Sequence, residues 1–137
     1  MQSDKAAREA LRSPRGLPLP WILAVAYLLV IAYASLQPFT GWWTPPEEIR
    51  HFLTAPWPRY ITLEDVLINI FAYVPLGFLL ARAFMSRWRN PSVVLLAALL
   101  ATLLSMAMEA VQMFMPARVA SNVDILTNGL GGLIGAL

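Results

Sequence analysis

The chain has 137 residues, of which 58% are hydrophobic and only 13% are charged, and its mean hydropathy is +0.61. A soluble domain carries about 25% charged residues to solvate its surface, so this composition predicts a chain whose solvent is lipid. The formal charge of +2 is too small to indicate nucleic acid binding, and the lack of cysteine excludes disulfides, thiolate metal sites and cysteine nucleophiles.

The first part of the chain divides into a tail, an apolar segment and a loop. Residues 1–18 are polar and are expected to form a cytoplasmic tail. Residues 19–36 are uncharged and about long enough to cross a membrane, and no signal-peptidase motif follows them, so we expect this span to be retained. Residues 37–62 are rich in proline, which interrupts helices, and in tryptophan, which favours the headgroup depth. They predict an interfacial loop, with contact to a ligand as the alternative.

Three further apolar segments complete a predicted transmembrane domain over residues 19–137. They cover residues 63–84, 91–115 and 122–137. Pro75 and Gly77 lie inside the first of them and predict a kink. The last segment is only about 24 Å long as a helix, which is marginal for a crossing. The fold class is therefore predicted to be all-α, a polytopic bundle of about four spans.

The distribution of basic residues predicts the orientation of the chain in the membrane. Most of them lie in the tail and in the turn between the second and third segments: Lys5, Arg8, Arg12, Arg15, Arg82, Arg87 and Arg89. Because basic residues stay on the cytoplasmic side, the amino terminus and this turn are predicted to be cytoplasmic. The expected location is the bacterial inner membrane, crossed several times, with the two other loops facing outward.

Under this topology the unusual polar residues all fall near the outer side of the membrane. They form a candidate binding pocket: Gln37, Asp65, Asn69, Glu109, Gln112, Arg118, Asp124 and Asn128. Several of them lie roughly 9–10 Å inside a predicted helix end, so we expect them to meet at one depth. Gly131 and Gly135 match the motif for close approach of membrane helices, and ionisable groups in a span are expected to face the bundle interior.

A short pattern, Asp-(Val/Ile)-Leu-x-Asn, occurs twice. The first copy is residues 65–69 and the second copy is residues 124–128, each at the predicted start of a helix that enters from outside. Two parallel helices with the same polar pair would suit a site between them. Alternatively, each aspartate belongs to a capping box, because Thr62 and Ser121 stand three residues before them.

The other polar residues also have structural alternatives. Asn69, Asn128 and Gln112 are of the type that joins membrane helices by hydrogen bonds. Glu109 lies in an apolar helix, where an unpaired carboxylate costs roughly 2.5 kcal/mol or more, so it is expected to be protonated, hydrogen-bonded or paired with Arg118. Arg118 is either a counter-charge, a phosphate ligand or an interface anchor. No metal site, cofactor or catalytic residue is predicted.

Four separated blocks of this sequence resemble the VanZ-like family of integral membrane proteins. The blocks are residues 33–39, Asp65-x-x-x-Asn69-x-Phe71-x-x-x-Pro75-Leu76-Gly77-Phe78, Glu109-x-x-Gln112-x-Phe114-x-Pro116-x-Arg118 and Asp124-x-x-x-Asn128-x-x-Gly131. The resemblance covers about residues 30–135. It implies a small multispan protein linked to teicoplanin susceptibility, and it does not supply a reaction.

Three functions are compatible with these features. The first is binding or modification of a cell-envelope lipid, such as a lipid-linked wall precursor or a lipoglycopeptide, without catalysis. The second is an intramembrane enzyme that acts on lipid headgroups with carboxylates. The third is a proton-coupled transporter, for which one chain of about four spans is small, so a homo-oligomer is expected. The first is preferred because no histidine lies within a predicted span and no nucleophile motif is present.

Overall fold

The structure is a computed structural model that describes residues 17–45, 48, 51–85 and 91–137. The described residues contain five helices and no strand, which confirms the all-α prediction. The helices are α1 (Leu19–Ser35), α2 (His51–Thr54), α3 (Leu63–Met85), α4 (Ser92–Gln112) and α5 (Asn122–Ala136). Most of the predicted tail lies outside the described residues, as do Arg87 and Arg89.

Two of the helices are long and apolar enough to cross a membrane. These are α3, with 23 residues, and α4, with 21 residues, whereas α1 is a shorter apolar helix. Helix α5 has 15 residues. The helix α3 continues through Pro75 without a break. The four predicted spans therefore remain a prediction, because they require α1 and α5 to cross as well.

Helix α4 ends at Gln112, three residues before the predicted end at Met115. The chain tightens directly after this end. The Phe114 amide donates to the Val111 carbonyl at 3.0 Å, and the Met115 amide donates to the Gln112 carbonyl at 2.9 Å. Such i to i+3 bonds are typical of the 3₁₀ geometry that ends many helices. Pro116, which has no amide hydrogen, follows directly.

Helices α1 and α3 pack against each other in antiparallel directions. Near one end, the rings of Trp21 and Phe84 meet edge to face with their centres 4.8 Å apart. Further along, the Tyr27 hydroxyl donates to the Ala72 carbonyl at 3.0 Å. The carboxyl end of α1 therefore lies near the beginning of α3.

Helices α3 and α5 run parallel and touch through their backbones. A Cβ atom at Gly131 would overlap the Ile70 carbonyl, and one at Gly135 would overlap the Val74 carbonyl. The glycines of α5 are thus required for this close approach, as in other small-residue helix contacts. Gly77 of α3 lies against the backbone of α5 in the same way. The starts of α3 and α5 consequently stand side by side.

Helix α4 is antiparallel to both neighbours and supplies a buried row at i+4 spacing. Ala97, Ala101, Ser105 and Glu109 are all buried. The first two residues pack in the apolar core with Tyr73 and Leu76 of α3. The last two bring polar groups to the end of the bundle where α3 and α5 begin.

Candidate functional site

Side chains from α4 and its following loop hold the carboxyl end of α1. The Arg118 guanidinium donates from Nε to the Gln37 carbonyl at 3.1 Å and from Nη2 to the Ala34 carbonyl at 3.3 Å. The Gln112 amide donates to the Ser35 carbonyl at 2.9 Å. The last carbonyls of a helix have no partner within the helix, so these two side chains cap α1 from another part of the chain.

Glu109 performs a similar task at the beginning of α5. Its side chain is buried, with 4% of the residue exposed, and its Oε2 accepts the amide hydrogen of Ser121 at 2.7 Å. Ser121 occupies the N-cap position directly before α5. Of the three states expected for Glu109, the structure shows the hydrogen-bonded one. Arg118 binds the Ala34 and Gln37 carbonyls and forms no ion pair with Glu109.

The aspartate of the first copy is part of a complete capping box. The Thr62 hydroxyl oxygen accepts the Asp65 amide hydrogen at 3.1 Å, and Asp65 Oδ2 accepts the Thr62 amide hydrogen at 3.4 Å and its hydroxyl hydrogen at 2.6 Å. Asp65 is exposed. Its carboxylate therefore satisfies the start of its own helix, as the capping alternative predicted.

The aspartate of the second copy has different partners. The Ser121 hydroxyl makes no capping hydrogen bond to the start of α5, and the Ser121 amide is already bound by Glu109. The Asp124 carboxylate instead lies close enough to the side chains of Asn69 and Ser121 to interact with them. Thus Asn69, from the first copy, and Asp124, from the second, meet between α3 and α5.

The asparagine of the second copy lies deeper and is buried. Its Nδ2 donates to the Ser105 hydroxyl oxygen at 2.8 Å, and Ser105 also lies near the Tyr73 hydroxyl. The Asn128 Oδ1 atom is buried and has no hydrogen-bond partner within the described part of the chain. A polar chain thus joins α3, α4 and α5, and one acceptor in it is left open.

These residues surround a cavity of about 520 Å³, called the main cavity below. Its lining includes most of the predicted pocket: Asn69, Glu109, Gln112, Arg118, Asp124 and Asn128. Tyr27, Val30 and Ile31 of α1 form an apolar part of its wall. The cavity therefore has a polar side and an apolar side.

The two remaining predicted residues lie elsewhere. Asp65 lines a neighbouring cavity of about 480 Å³, together with Tyr60, and Asn69, Arg118 and Asp124 line both cavities. Gln37 is exposed, and its side chain donates to the Tyr33 hydroxyl at 2.9 Å. Gln37 contributes its backbone carbonyl to Arg118, rather than its side chain to the main cavity.

Three residues that lie in or against the predicted pocket, Tyr73, Ser105 and Ser121, were not predicted as part of it. A signal for the first two was present, because Tyr73 follows Asn69 by four residues and Ser105 precedes Glu109 by four, so each pair shares a helix face. The role of Ser121 depends on its backbone amide. A side-chain pattern carries no signal for a backbone group.

The main cavity is lined by several hydrogen-bond acceptors and by one cationic side chain, which hydrogen bonds hold in place. Two carboxylates, Glu109 and Asp124, line it together with the Arg118 guanidinium. A guanidinium has five N–H groups, of which two bind the Ala34 and Gln37 carbonyls here, so others remain for an anionic group. Among the described residues no group of three or more His, Cys, Asp or Glu is placed to hold a metal ion.

Comparison with known proteins assigns the chain to a family. Neither the curated proteins nor the solved structures contain a significant match to it. A model of the VanZ/LLP1 family matches residues 20–137. The match includes every residue that lines the main cavity and, with the two long apolar helices, indicates a membrane protein. The chain belongs to the VanZ/LLP1 family, as its motifs suggested.

Proposed function

We propose that this protein crosses the bacterial inner membrane several times and binds the polar headgroup of a cell-envelope lipid, or of a lipid-linked precursor, in the main cavity. The observation that carries the proposal is the two-sided lining of this cavity. Glu109, Asp124 and Arg118 form its polar side, whereas Val30, Ile31 and Ile68 form an apolar side. An amphiphilic ligand requires both surfaces, a polar one for its headgroup and an apolar one for the adjoining chain.

Exposed apolar rows support the insertion of α4 and α5 in lipid. Leu95, Leu99 and Leu103 are exposed at i+4 spacing on α4, and Leu126, Leu130 and Ile134 are exposed in the same way on α5. A row of this kind is unfavourable in water and favourable against lipid tails. The proposal therefore includes α5, and by the same reasoning the exposed apolar helix α1, among the spans.

Aromatic residues support the placement of the cavity near a headgroup region. Trp42, Trp43 and Trp57 are exposed, and Trp43 is tied to the cavity end because its amide donates to the Phe114 carbonyl at 3.0 Å. Tryptophan is enriched at membrane interfaces. Arg82 lies in the last turn of α3, at the opposite end of the bundle. The basic tail before α1 and the further arginines after Arg82 in the sequence outnumber the basic residues of the cavity end, so the positive-inside rule favours the cavity end as the outer one.

Accessibility of single cysteines tests this orientation, and the cysteine-free chain is suited to it. Tyr60 and Val119 are 91% and 86% exposed at the cavity end. Tyr60→Cys and Val119→Cys are expected to react with a membrane-impermeant maleimide in intact cells, whereas Arg82→Cys reacts only after permeabilisation. The reverse pattern, or labelling of positions 60 and 119 from opposite sides, would contradict the proposed topology.

Lipid binding by the purified full chain tests the site itself. The probes are a polyprenyl phosphate, phosphatidylglycerol and phosphatidylethanolamine, measured by native mass spectrometry. Asp124→Asn keeps the shape of the side chain and its ability to pair with Asn69 but removes the charge. We expect it to weaken the binding of phosphatidylethanolamine, the probe that has a charged N–H donor, about tenfold, since hydrogen bonds to charged groups are worth about 1.5–3 kcal/mol.

Glu64→Gln is the matched control for this experiment. Glu64 lies one residue before Asp65 at the start of α3, is exposed, and does not line the main cavity. We expect its affinities to equal those of the unchanged protein. Equal affinities for Asp124→Asn and Glu109→Gln as well, with every probe, would refute the proposed binding site.

The link to glycopeptides is tested in cells. The family resemblance motivates a comparison of teicoplanin susceptibility between the unchanged protein and Glu109→Gln, each expressed at the same level. Because glutamine can still accept the Ser121 amide hydrogen, this variant is expected to fold. A change in susceptibility supports an envelope role for the cavity, and equal susceptibility opposes it.

A carboxylate-dependent enzyme is the second candidate, favoured by one observation. Glu109 and Asp124 line the same cavity but differ in their partners, since Glu109 accepts a backbone amide hydrogen and Asp124 lies close to side chains. Two carboxylates in different surroundings can divide the roles of acid and base. Incubation of the purified protein with the same lipids, with and without divalent cations, tests it. Absence of any product would leave binding as the function.

A further inference from the structure

The floor of the main cavity contains a polar group that the described contacts do not satisfy. Asn128 lines the cavity and is 6% exposed. Its Nδ2 is bound to Ser105, whereas its Oδ1 is buried and has no partner in the part of the chain that the structure describes. A buried carbonyl oxygen without a partner has lost its hydrogen bonds to water, so a ligand that supplies a donor there gains affinity.

The charged residues around the Asn128 amide lie at different depths in the main cavity. Asp124 lies one helical turn before Asn128, roughly 6 Å nearer the start of α5, and Glu109 lines the same cavity from α4. Arg118 is exposed, at the mouth. Acceptors and negative charges thus lie inside, and the positive charge lies outside.

This order is unfavourable for a ligand that carries only a phosphate. A phosphate that reached the floor would face two carboxylates and an amide oxygen, and like charges repel at such distances. A phosphate at the mouth meets the free N–H groups of Arg118, which form strong charge-assisted hydrogen bonds with phosphate. The two carboxylates and the amide oxygen inside the cavity are then best satisfied by a positively charged hydrogen-bond donor on the same ligand.

We infer that the main cavity is specific for a headgroup in which a primary ammonium group stands beside a phosphate. The ammonium group binds among Asn128, Asp124 and Glu109, and the phosphate binds to Arg118. The inference rests on the proposed headgroup-binding function and names the class of its ligand. Oδ1 of Asn128 is covered in the structure. A small ammonium group, which needs only a slight rotation of the amide, therefore fits better than a trimethylammonium group.

The test compares lipids that differ only in this group. The full-length protein in nanodiscs is titrated with phosphatidylethanolamine, phosphatidylcholine and phosphatidylglycerol of equal acyl chains. We expect phosphatidylethanolamine to bind about tenfold more tightly than the other two, because only it donates charged N–H bonds to the inner acceptors. Free phosphoethanolamine and phosphocholine form the soluble arm of the same experiment.

Two variants separate ligand contact from structure. Asn128→Leu removes the free acceptor and is expected to abolish the preference for phosphatidylethanolamine. Ser105→Ala breaks the same hydrogen bond to Asn128 but leaves Oδ1 in place, so it is expected to keep the preference. If Asn128→Leu fails to fold, the comparison of lipids on the unchanged protein decides the question.

Each outcome has one meaning. Equal binding of phosphatidylethanolamine and phosphatidylglycerol overturns the inference and leaves the proposed function intact. Absence of binding by every lipid overturns both. Selective binding of the lipid alone supports a membrane ligand, and equally selective binding of free phosphoethanolamine supports the same chemistry from a soluble source.

Discussion

The two copies of the Asp-(Val/Ile)-Leu-x-Asn segment start parallel helices, yet their aspartates have different partners. In the first copy, Asp65 binds Thr62 within its own helix start and is exposed. In the second copy, Glu109 of α4 takes the Ser121 amide that a capping box assigns to the acid of its own helix. Asp124 is thereby released to face Asn69 and the main cavity.

A third helix decides what a repeated local motif does in this fold. The pattern of an acid three residues after a hydroxyl is the same in both copies. Only the second lies beside a buried carboxylate from another helix, and only that copy has its asparagine joined to Ser105. A functional pocket can therefore arise from a capping motif when the cap is supplied from elsewhere.

The largest effect is expected from a substitution that forces α5 away from α3. Gly135→Ala places a Cβ against the Val74 backbone, which cannot rotate away. We expect it to lower the free energy of unfolding by about 3 kcal/mol, measured by thermal unfolding in detergent. Gly129→Ala is the control, since its Cβ meets the movable Thr102 side chain, and it is expected to cost less than about 1 kcal/mol. Similar losses for both variants would contradict backbone contact between the helices.

The next effect concerns the cap that Glu109 supplies. Glu109→Ala leaves the Ser121 amide without its partner, so we expect a loss of about 2 kcal/mol in the free energy of unfolding. Glu109→Gln retains an oxygen that accepts this hydrogen and is expected to lose less than about 1 kcal/mol. If both variants were equally unstable, the charge of Glu109, rather than its hydrogen bond, would hold α5.

The smallest effects are expected at Thr62 and Ser121, the hydroxyl residues that precede α3 and α5. Thr62→Ala removes the hydroxyl that accepts the Asp65 amide hydrogen and is expected to cost about 1 kcal/mol. Ser121→Ala removes a hydroxyl that caps no amide of α5, so its expected cost is less than about 0.5 kcal/mol. Both are read from the same thermal unfolding assay. A larger loss for Ser121→Ala would show that the second copy is capped like the first.

Elements that depend on local composition were predicted well. The spans predicted over residues 63–84 and 91–115 correspond to α3 and α4, because long apolar stretches leave little choice of structure. The end of α4 was predicted three residues late, since the tightening of its last turn depends on individual hydrogen bonds. The short helix α2 was not predicted inside the proline-rich loop.

The candidate site was predicted as a set of residues, without their individual roles. The family motif identified Glu109, Gln112 and Arg118, but it could not show that Gln112 caps a carbonyl 77 residues away and Arg118 one 84 residues away. Those partners are backbone carbonyls of α1, and the partner of Glu109 is likewise a backbone group, the Ser121 amide. Backbone groups are the same in every residue, so the sequence contains no mark of which one is used.

The sequence alone determined the all-helical class, the family, the positions of the apolar helices and the polar residues at one end of them. These follow from hydrophobic periodicity and motif spacing, which are properties of neighbouring residues. The tertiary structure decided which acids cap helices and which face the cavity. Glycine contacts set the distance between α3 and α5, and that distance determines whether the Asp124 carboxylate reaches Asn69.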